Sequence, residues 1–449
     1  MLKRTIRFGL IFAGLALMAA AAWAGGSKDL LKGKDIVIGN WWSDWDVNTF
    51  KPTDEPGELM LEWRKKIQKD NGVTIREKQV AGWGEMMDSL VTSIMAGKPI
   101  AHAVTVMPEW AMSMYKMGLL APLSDSKAVD LKTTTAIPYR QVQYNQNIGS
   151  AFTFNGKQYA LFIGNGNSDG VYFNKRLFRE AGLDPDLPYN MQKDGTWTWD
   201  NFFNLSKRLT RDRNNTGRID TWALPADNAG TILSVMVVSN GAQFIARDAS
   251  GKFVNATSRP EFLEALNFSR RLHSENIMMP KPEGSGWDWH TVAFVDGQVA
   301  MLIEAQWRAG AFKDSMNDDW GYVLPPKGPK AKNYLFPESS SVMVVPSVFR
   351  GTELDTILAA INLWNMPVTD DWKSGVWGLY RDRRAVDETL AMVRTPGYGV
   401  YMNEMLIPGL ETGDIAWYMW WHEGEPAQLV ESVSQNWNAL IDEVNKTGR

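Results

Sequence analysis

The 449-residue sequence contains no cysteine. That absence removes disulfides, thiol nucleophiles and the lipid-modified cysteine that could tether an exported chain. Histidine is almost as scarce: His102, His273, His290 and His422 are the whole set. None has metal-ligand spacing, and His422-Glu423 lacks the second histidine four positions after the first. No long basic cluster exists, which argues against nucleic acid or an anionic membrane as partner. Beyond the first two dozen residues no apolar run is long enough to span a bilayer, which takes roughly 20 residues.

At the N-terminus, Lys3, Arg4 and Arg7 precede an apolar run from Phe8 through Ala22, and Ala22-Trp23-Ala24 supplies a small-x-small site. This is the pattern of a secretory signal peptide, residues 1–24, cleaved after Ala24; an uncleaved anchor is the alternative. Removing the three basic residues takes the formal charge from −4 to −7. A periplasmic protein without a lipid anchor is the expectation.

Tryptophan is what the chain has in excess: 21 residues, 20 of them after Trp23. Many stand beside Asp, Glu, Asn or Gly. Trp41-Trp42-Ser43-Asp44-Trp45-Asp46 is hard to bury, because two carboxylates fall within six residues. The recurring unit is an indole next to a carboxylate: Trp42 with Asp44, Glu109 with Trp110, Trp287 with Asp288, Glu304 with Trp307. A mature chain of about 425 residues also exceeds one ordinary core and implies two or three domains.

Asp35–Gly39 reads as a strand, Glu58–Asp70 as a helix and Val73–Val80 as a second strand, a βαβ start. Gly84–Ala96 has Met87, Leu90, Val91 and Ile94 at helical spacing, and Ala103–Met107 is a third strand leading to Glu109-Trp110. Gly164 to Asp169 is a run of short polar residues that suits a ligand-facing loop; its glycine spacing is wrong for a dinucleotide fingerprint. Thr198 and Asp200 read as the cap and acidic first turn of a helix with Phe202, Leu205 and Leu209 on one face. Val299–Ile303 is a continuous apolar run, the pattern of a strand buried on both faces of a parallel sheet. Ligands of open α/β sheets bind beyond the carboxyl ends of strands, so Glu304 and Trp307 are expected at a cleft rim. The loop from Asp212 through Asn214, Thr216 and Asp220 has oxygen groups at calcium-loop positions 1, 3, 5 and 9, but position 12 is Ala223. A polar Asx turn and a weak metal site are its two readings; no metal or other cofactor is otherwise implied.

Phe294-x-x-Gly297-x-x-Ala300-Met301 followed by Trp307 resembles a motif of the family 1 solute-binding proteins, the sugar receptors of ABC importers. Tyr115-x-x-Gly118-Leu119-Leu120-x-Pro122-Leu123, the turn Asn155-Gly156-Lys157-Gln158-Tyr159-Ala160-Leu161 and Tyr172-Phe173-Asn174-Lys175 resemble others in the same order. One departure is Pro99-Ile100-Ala101-His102, where relatives usually carry Ala-Pro-Asp. The resemblance covers essentially the whole mature chain. It implies a periplasmic-binding-protein-like α/β fold: two lobes, each with a central mostly parallel sheet flanked by helices, joined by crossing strands near 156–163 and 336–343. Lobe one is then 25–155 and 338–385, with helices from Leu354 to Trp364 and Asp371 to Trp377; lobe two is 156–337 and 386–449. It also implies a carbohydrate ligand, an ABC permease as partner, a monomer, cleft closure on binding, and sugar stacking by Trp307.

A pyranose offers apolar C–H faces and a ring of hydroxyls, so its site needs flat aromatics and fixed acceptors. The candidate ligand-binding residues are therefore Trp41, Trp42, Asp44, Trp45, Glu109, Trp110, Asp169, Trp287, Glu304 and Trp307, with Asn40, Asn165, Asn167, Glu338 and Trp417 chosen by position alone. No catalytic residue is assigned. An exported glycoside hydrolase would need the same aromatics and paired carboxylates, and a receptor presenting its ligand to a membrane sensor is a third class.

Overall fold

The computed structural model describes residues 29–446 except 54, 130, 132–134, 137–140, 143–145, 163–166, 366–371 and 396. The expected signal peptide, Asn165 and the start of the Asp371–Trp377 helix lie outside the described residues. The strands that build the two main sheets are β1 (Asp35–Asn40), β2 (Thr74–Gln79), β3 (Ala103–Val106), β4 (Asn167–Asn174), β5 (Met301–Ala305), β6 (Trp320–Val323), β7 (Phe336–Ser339), β8 (Val342–Val344) and β9 (Gly399–Tyr401). The chain divides into two compact units, one holding residues up to 165 and 340–375, the other 166–339 and 376–447.

In the first unit the sheet order is β8-β3-β1-β2. β1 is parallel to both neighbours, with Ile36 opposite Ile75 and Ile38 opposite Ala103, and β8 is antiparallel to β3. Helices α1 (Glu55–Asn71), α2 (Met86–Met95) and α3 (Pro108–Lys116) connect and follow these strands. Met86, Leu90 and Ile94 fall on the buried face of α2, the i, i+4, i+8 stripe of an amphipathic helix. Ile36, Ile38, Ile67, Val73, Ile75 and Leu358 lie in one core cluster, each such side chain contributing roughly 1.5–3 kcal/mol by burial. The unusual Pro99-to-His102 turn closes on the sheet: His102 Nδ1 accepts the Val37 N–H at 3.0 Å.

The chain leaves this unit ten residues later than the sequence suggests. Asn155 and Gly156, both with positive φ, form the tight turn of a hairpin between Thr153–Phe154 and Lys157–Gln158, the conformation favoured for two-residue loops. Lys157 is paired with Asp125 at 3.0 Å and Leu161 bridges Met343, so 156–162 stays with the first sheet.

In the second unit β4 is the axis. β5 pairs along one side, Glu304 opposite Gly170; β6 and β7 pair along the other; β9 is parallel to β7. The sequence reads the apolar run before Glu304 as a strand of a parallel sheet, but β5 pairs antiparallel to β4, as do β6 and β7. Residues 167–169 are also strand rather than loop, and Ser168 is fully buried. A Cβ on Gly170 would lie 2.5 Å from the Tyr322 ring and 2.6 Å from the Val323 carbonyl oxygen, so only glycine lets Tyr322 cross the strand. Trp197 and Trp199, at the start of the Trp199–Leu209 helix, are buried donors to the Leu324 carbonyl (2.8 Å) and the Ser239 hydroxyl (3.1 Å). Thr198 occupies the N-cap of that helix without a side-chain capping bond. From Val376 the chain is already in this unit: Tyr380 packs on Trp320 and Tyr322 and Arg381 donates to the Asp318 carbonyl at 3.0 Å.

Candidate functional site

Four tryptophans gather at the carboxyl ends of the parallel strands of the first unit. Trp41 and Trp42 follow β1, Trp83 follows β2, and Trp110 sits in the first turn of α3 after β3. Trp41 meets Trp42, Trp83 and Trp110 at ring-centroid distances of 4.9, 5.3 and 5.8 Å, and Trp83 meets Trp110 at 4.8 Å. Trp42 and Trp83 are about half exposed, at 50% and 54%, so flat apolar faces reach solvent. Trp83 is absent from the sequence candidates, although the rule that selects Trp41 and Trp110, position just after a strand end, applies to it equally.

Asn40 and Trp45 play supporting roles, and Asp44, although exposed, is tied into the same loop. Asn40 is buried; its Oδ1 accepts the Trp42 and Ser43 amides at 2.9 and 3.0 Å and its Nδ2 donates to the Ser43 carbonyl at 2.9 Å, an Asx turn that aims the tryptophan pair. Asp44 Oδ1 accepts the Gln79 amide at 2.8 Å and ties the loop to β2. Trp45 packs inward on Phe50 and Trp364, with the Arg64 guanidinium 4.2 Å from its ring. Trp45 is therefore a packing residue. Beside Trp42 opens a cavity of about 170 Å³, lined also by Glu77, Thr105, Ser341 and Asn365. Glu109 is half-buried in the first turn of α3.

The second unit gathers a charged group at the end of β5. Glu304, expected at a rim, is buried with the rest of its strand. His290, in helix α4 (Trp289–Val295), fills the space beside it: Nδ1 lies 3.0 Å from Asp227 Oδ2 and Nε2 3.3 Å from Glu304 Oε2. Burial opposes a charge on His290, but the hydrogen bonds to Asp227 and Glu304 outweigh it and push its pKa up to about 9. The ring is thus an imidazolium donating from both nitrogens at neutral pH. Burial also works against charge on Asp227, yet the bonds from His290 and the Asn228 amide hold its carboxyl below the ordinary range. Asn228 Nδ2 donates to Glu304 Oε2 at 3.5 Å.

Arg308 completes the group. Its Nη2 and Nη1 donate to Asp288 Oδ1 and Oδ2 at 2.7 and 3.2 Å, a bidentate pair. Its guanidinium lies 4.3 Å from the Trp307 ring and 5.7 Å from that of Trp287. Those two rings are 61% and 75% exposed, so indole faces stand in solvent above a buried charged base. The peptide before Trp307 is fastened from below: the Tyr172 hydroxyl donates to the Ala305 and Gln306 carbonyls, both at 3.1 Å. Asp169, half-buried opposite Ala305 in β4, is pushed up to about 7 by burial and then by Glu304.

The other candidates do not join this group. Glu338 is a buried sheet residue between Ser168 and Tyr401. Trp417 is exposed on the Gly413–Trp421 helix, where its ring neighbours are Trp421 and His422, each at 6.1 Å. Asn167 lies in β4. The Asp212 loop spends its carboxylates internally: Asp212 accepts the Thr216 and Gly217 amides, and Asp220 accepts from Arg213 and Asn214. No group of three or more His, Cys, Asp or Glu among the described residues is placed to hold a metal ion. Gly166-Asn167-Ser168-Asp169-Gly170 has the spacing of a serine-hydrolase elbow. Ser168 is buried at the start of β4 with its hydroxyl directed to Gln306, whereas such a nucleophile needs an exposed strand-to-helix turn.

The imidazolium makes a pH prediction. His290 is raised from 6.5 to about 9 in the folded chain, so its contribution to stability is complete below pH 6.5 and is lost as pH rises through 9. Denaturant midpoints should fall across that window in the native chain, and the fall should shrink in His290→Gln. An equal fall in the variant would assign it elsewhere.

A two-unit α/β chain with exposed indoles and carboxylates at its strand ends has the build of a binding module for a small polar solute. The chain belongs to the bacterial extracellular solute-binding proteins, whose family model matches residues 62–361. An uncharacterized ABC transporter extracellular-binding protein of Pyrococcus horikoshii is 25% identical over 309 residues, 66% of this chain and 61% of that protein; the chain thus spans about three fifths of that relative's length. Among solved structures, the cyclic α-maltosyl-1,6-maltose binding protein of Arthrobacter globiformis superposes with a TM-score of 0.63 at 17% identity, covering 92% of this chain and 99% of that one. A Thermotoga lettingae solute-binding protein bound with α-D-tagatose gives 0.62 at 18%, covering 91% and 100%. A Mycobacterium tuberculosis protein in complex with glycerophosphocholine gives 0.62 at 16%, covering 86% and 95%. These likenesses establish the periplasmic-binding-protein fold. No helix among the described residues is long and apolar enough to cross a membrane.

Proposed function

We propose that this protein is the periplasmic carbohydrate receptor of an ABC importer, binding one sugar or oligosaccharide and handing it, chemically unchanged, to a membrane permease. The observation that carries the reading is the exposure of indole faces directly over fixed polar groups, Trp307 and Trp287 above Arg308, Asp288 and Asp227 in one unit, with the four-tryptophan cluster in the other. Stacking on C–H faces and acceptance from hydroxyls are the two demands of a pyranose. The fold neighbours include proteins solved with cycloalternan, mannotriose and maltotetraose, which supports a carbohydrate as ligand here.

In this reading the chain is exported through its cleaved N-terminal signal, works as a monomer, and the two units close on the ligand. Differential affinity for the closed state drives such a change. Solution scattering should show a smaller radius of gyration at saturating sugar; identical curves would leave a rigid binding module. The ligand itself is found by a thermal-shift screen against a carbohydrate panel, since binding to the folded state alone raises stability by mass action. A panel without any shift would remove the sugar reading. A bound oligosaccharide that is cleaved, at a rate lost on replacing one carboxylate, would favour the exported glycoside hydrolase.

A further inference from the structure

The cavity beside Trp42 is blind on its sheet side. Register sets Glu77 opposite Ile38 and Met343 opposite Thr105, so β2, β1, β3 and β8 floor it with one face of the first unit's sheet. The buried Trp364 ring walls one flank, backed by Trp45 and by the Arg64 guanidinium, 4.1 Å away. The volume of about 170 Å³ holds about six waters at roughly 30 Å³ each, the bulk of one hexose ring and not of two. An internal ring of a chain needs an exit for a glycosidic bond at each end. A blind pocket one ring deep admits a ring that is linked on one side only.

The polar groups of this cavity are only partly spent. Glu77 Oε1 accepts the Trp364 indole N–H at 2.8 Å and lies 3.2 Å from Arg64 Nη1, which fixes the carboxylate; Oε2 has no partner among the described residues. Asn365 donates its Nδ2 to the Ile361 carbonyl at 2.9 Å and keeps its own side-chain oxygen. The Ser341 hydroxyl has only the Met107 sulfur, at 3.9 Å, and the Thr105 hydroxyl has no bond among the described residues. Two acceptors and two hydroxyls thus line a space of one ring, beside the half-exposed Trp42 indole that supplies an apolar face.

We propose that this cavity captures the terminal ring of the ligand, so that the protein takes linear oligosaccharides by a free chain end and excludes closed rings and chain interiors. The inference rests on the carbohydrate reading above and narrows it to a substrate class. Glu77 and Thr105 read the end: both project from the sheet floor and bond the ring's hydroxyls.

The test is calorimetric titration of the mature chain with maltotetraose, cellotetraose and mannotetraose. Each is used unmodified, with an aromatic amide tag on the reducing end, and with a benzylidene acetal on the non-reducing terminal ring. In the set that binds, at least one blocked form should lose about tenfold or more in affinity, because its end no longer enters the cavity. Thr105→Val keeps the side-chain shape and the strand preference and removes one hydroxyl. It should weaken the unmodified chain by about tenfold and leave that blocked form no weaker than in the native protein, with the melting temperature near native. Native affinity in both blocked forms, or a Thr105→Val loss that is zero or equal for all three forms, overturns end capture and leaves the sugar reading standing. Failure of every set, unmodified members included, overturns both.

Discussion

Trp307→Ala should lose about 2 kcal/mol or more of ligand binding, roughly a thirtyfold rise in Kd, while its unfolding midpoint hardly moves. The ring is 61% exposed, so truncation leaves no core cavity. Its cation–π interaction with Arg308, at 4.3 Å, is worth only about 0.5–1 kcal/mol at an exposed site. A stacked sugar, by contrast, would be deprived of its largest apolar surface. Titration and denaturation of the same preparation separate the two effects. If the variant unfolds at much lower denaturant while its folded fraction binds normally, Trp307 is a packing residue and the account of this site is wrong.

His290→Leu should show the opposite balance, a loss of about 3–5 kcal/mol in stability at pH 7, the cost of leaving a buried charge without its partner. Glu304 is buried in β5 and would keep the more distant Arg308 Nε at 3.9 Å, Asn228 at 3.5 Å and the amide of Ala305 at 2.9 Å. Adding Glu304→Gln to His290→Leu should recover part of the loss, because the uncompensated charge goes with it. Equal losses in the single and double variants, or a single loss below about 1 kcal/mol, would mean the imidazolium does not hold this group together.

These two residues also show what a sequence discloses and what it hides. The exposure of Trp307 is legible because a continuous apolar run ends before it, and strand ends are where α/β sheets present side chains; Glu304, expected at the same rim, is buried because β5 runs on through it to Ala305. The same logic reaches Trp41, Trp42 and Trp110 after β1 and β3, and it reaches Trp83 as soon as it is applied after β2. The fold is legible for the same reason: periodicities of two and 3.6 mark β1 to β3 and the helices between them. His290 escapes such reasoning, because its partners Asp227 and Glu304 lie 63 and 14 positions away and no local pattern links them.

Misreadings have equally local causes. Trp45 shares the acidic, tryptophan-rich hexapeptide of Trp41 and Trp42, yet Asn40 turns the chain after β1 so that Trp45 falls back on Trp364. Composition cannot tell the two faces of such a loop apart. Residues 167–169 read as loop because short polar residues rarely make a strand interior; here Gly170 admits Tyr322 across β4, and the Tyr322 hydroxyl donates to the Ser168 carbonyl at 3.0 Å. The direction of β5 is hidden because an apolar run does not encode whether its neighbour is parallel.

The most direct measurement is equilibrium titration of the full mature chain with the carbohydrate found by thermal shift, followed by release and mass analysis of the bound molecule. One ligand per chain is expected, recovered with its mass unchanged after prolonged incubation. Absence of saturable carbohydrate binding, or recovery of cleaved product, would contradict it.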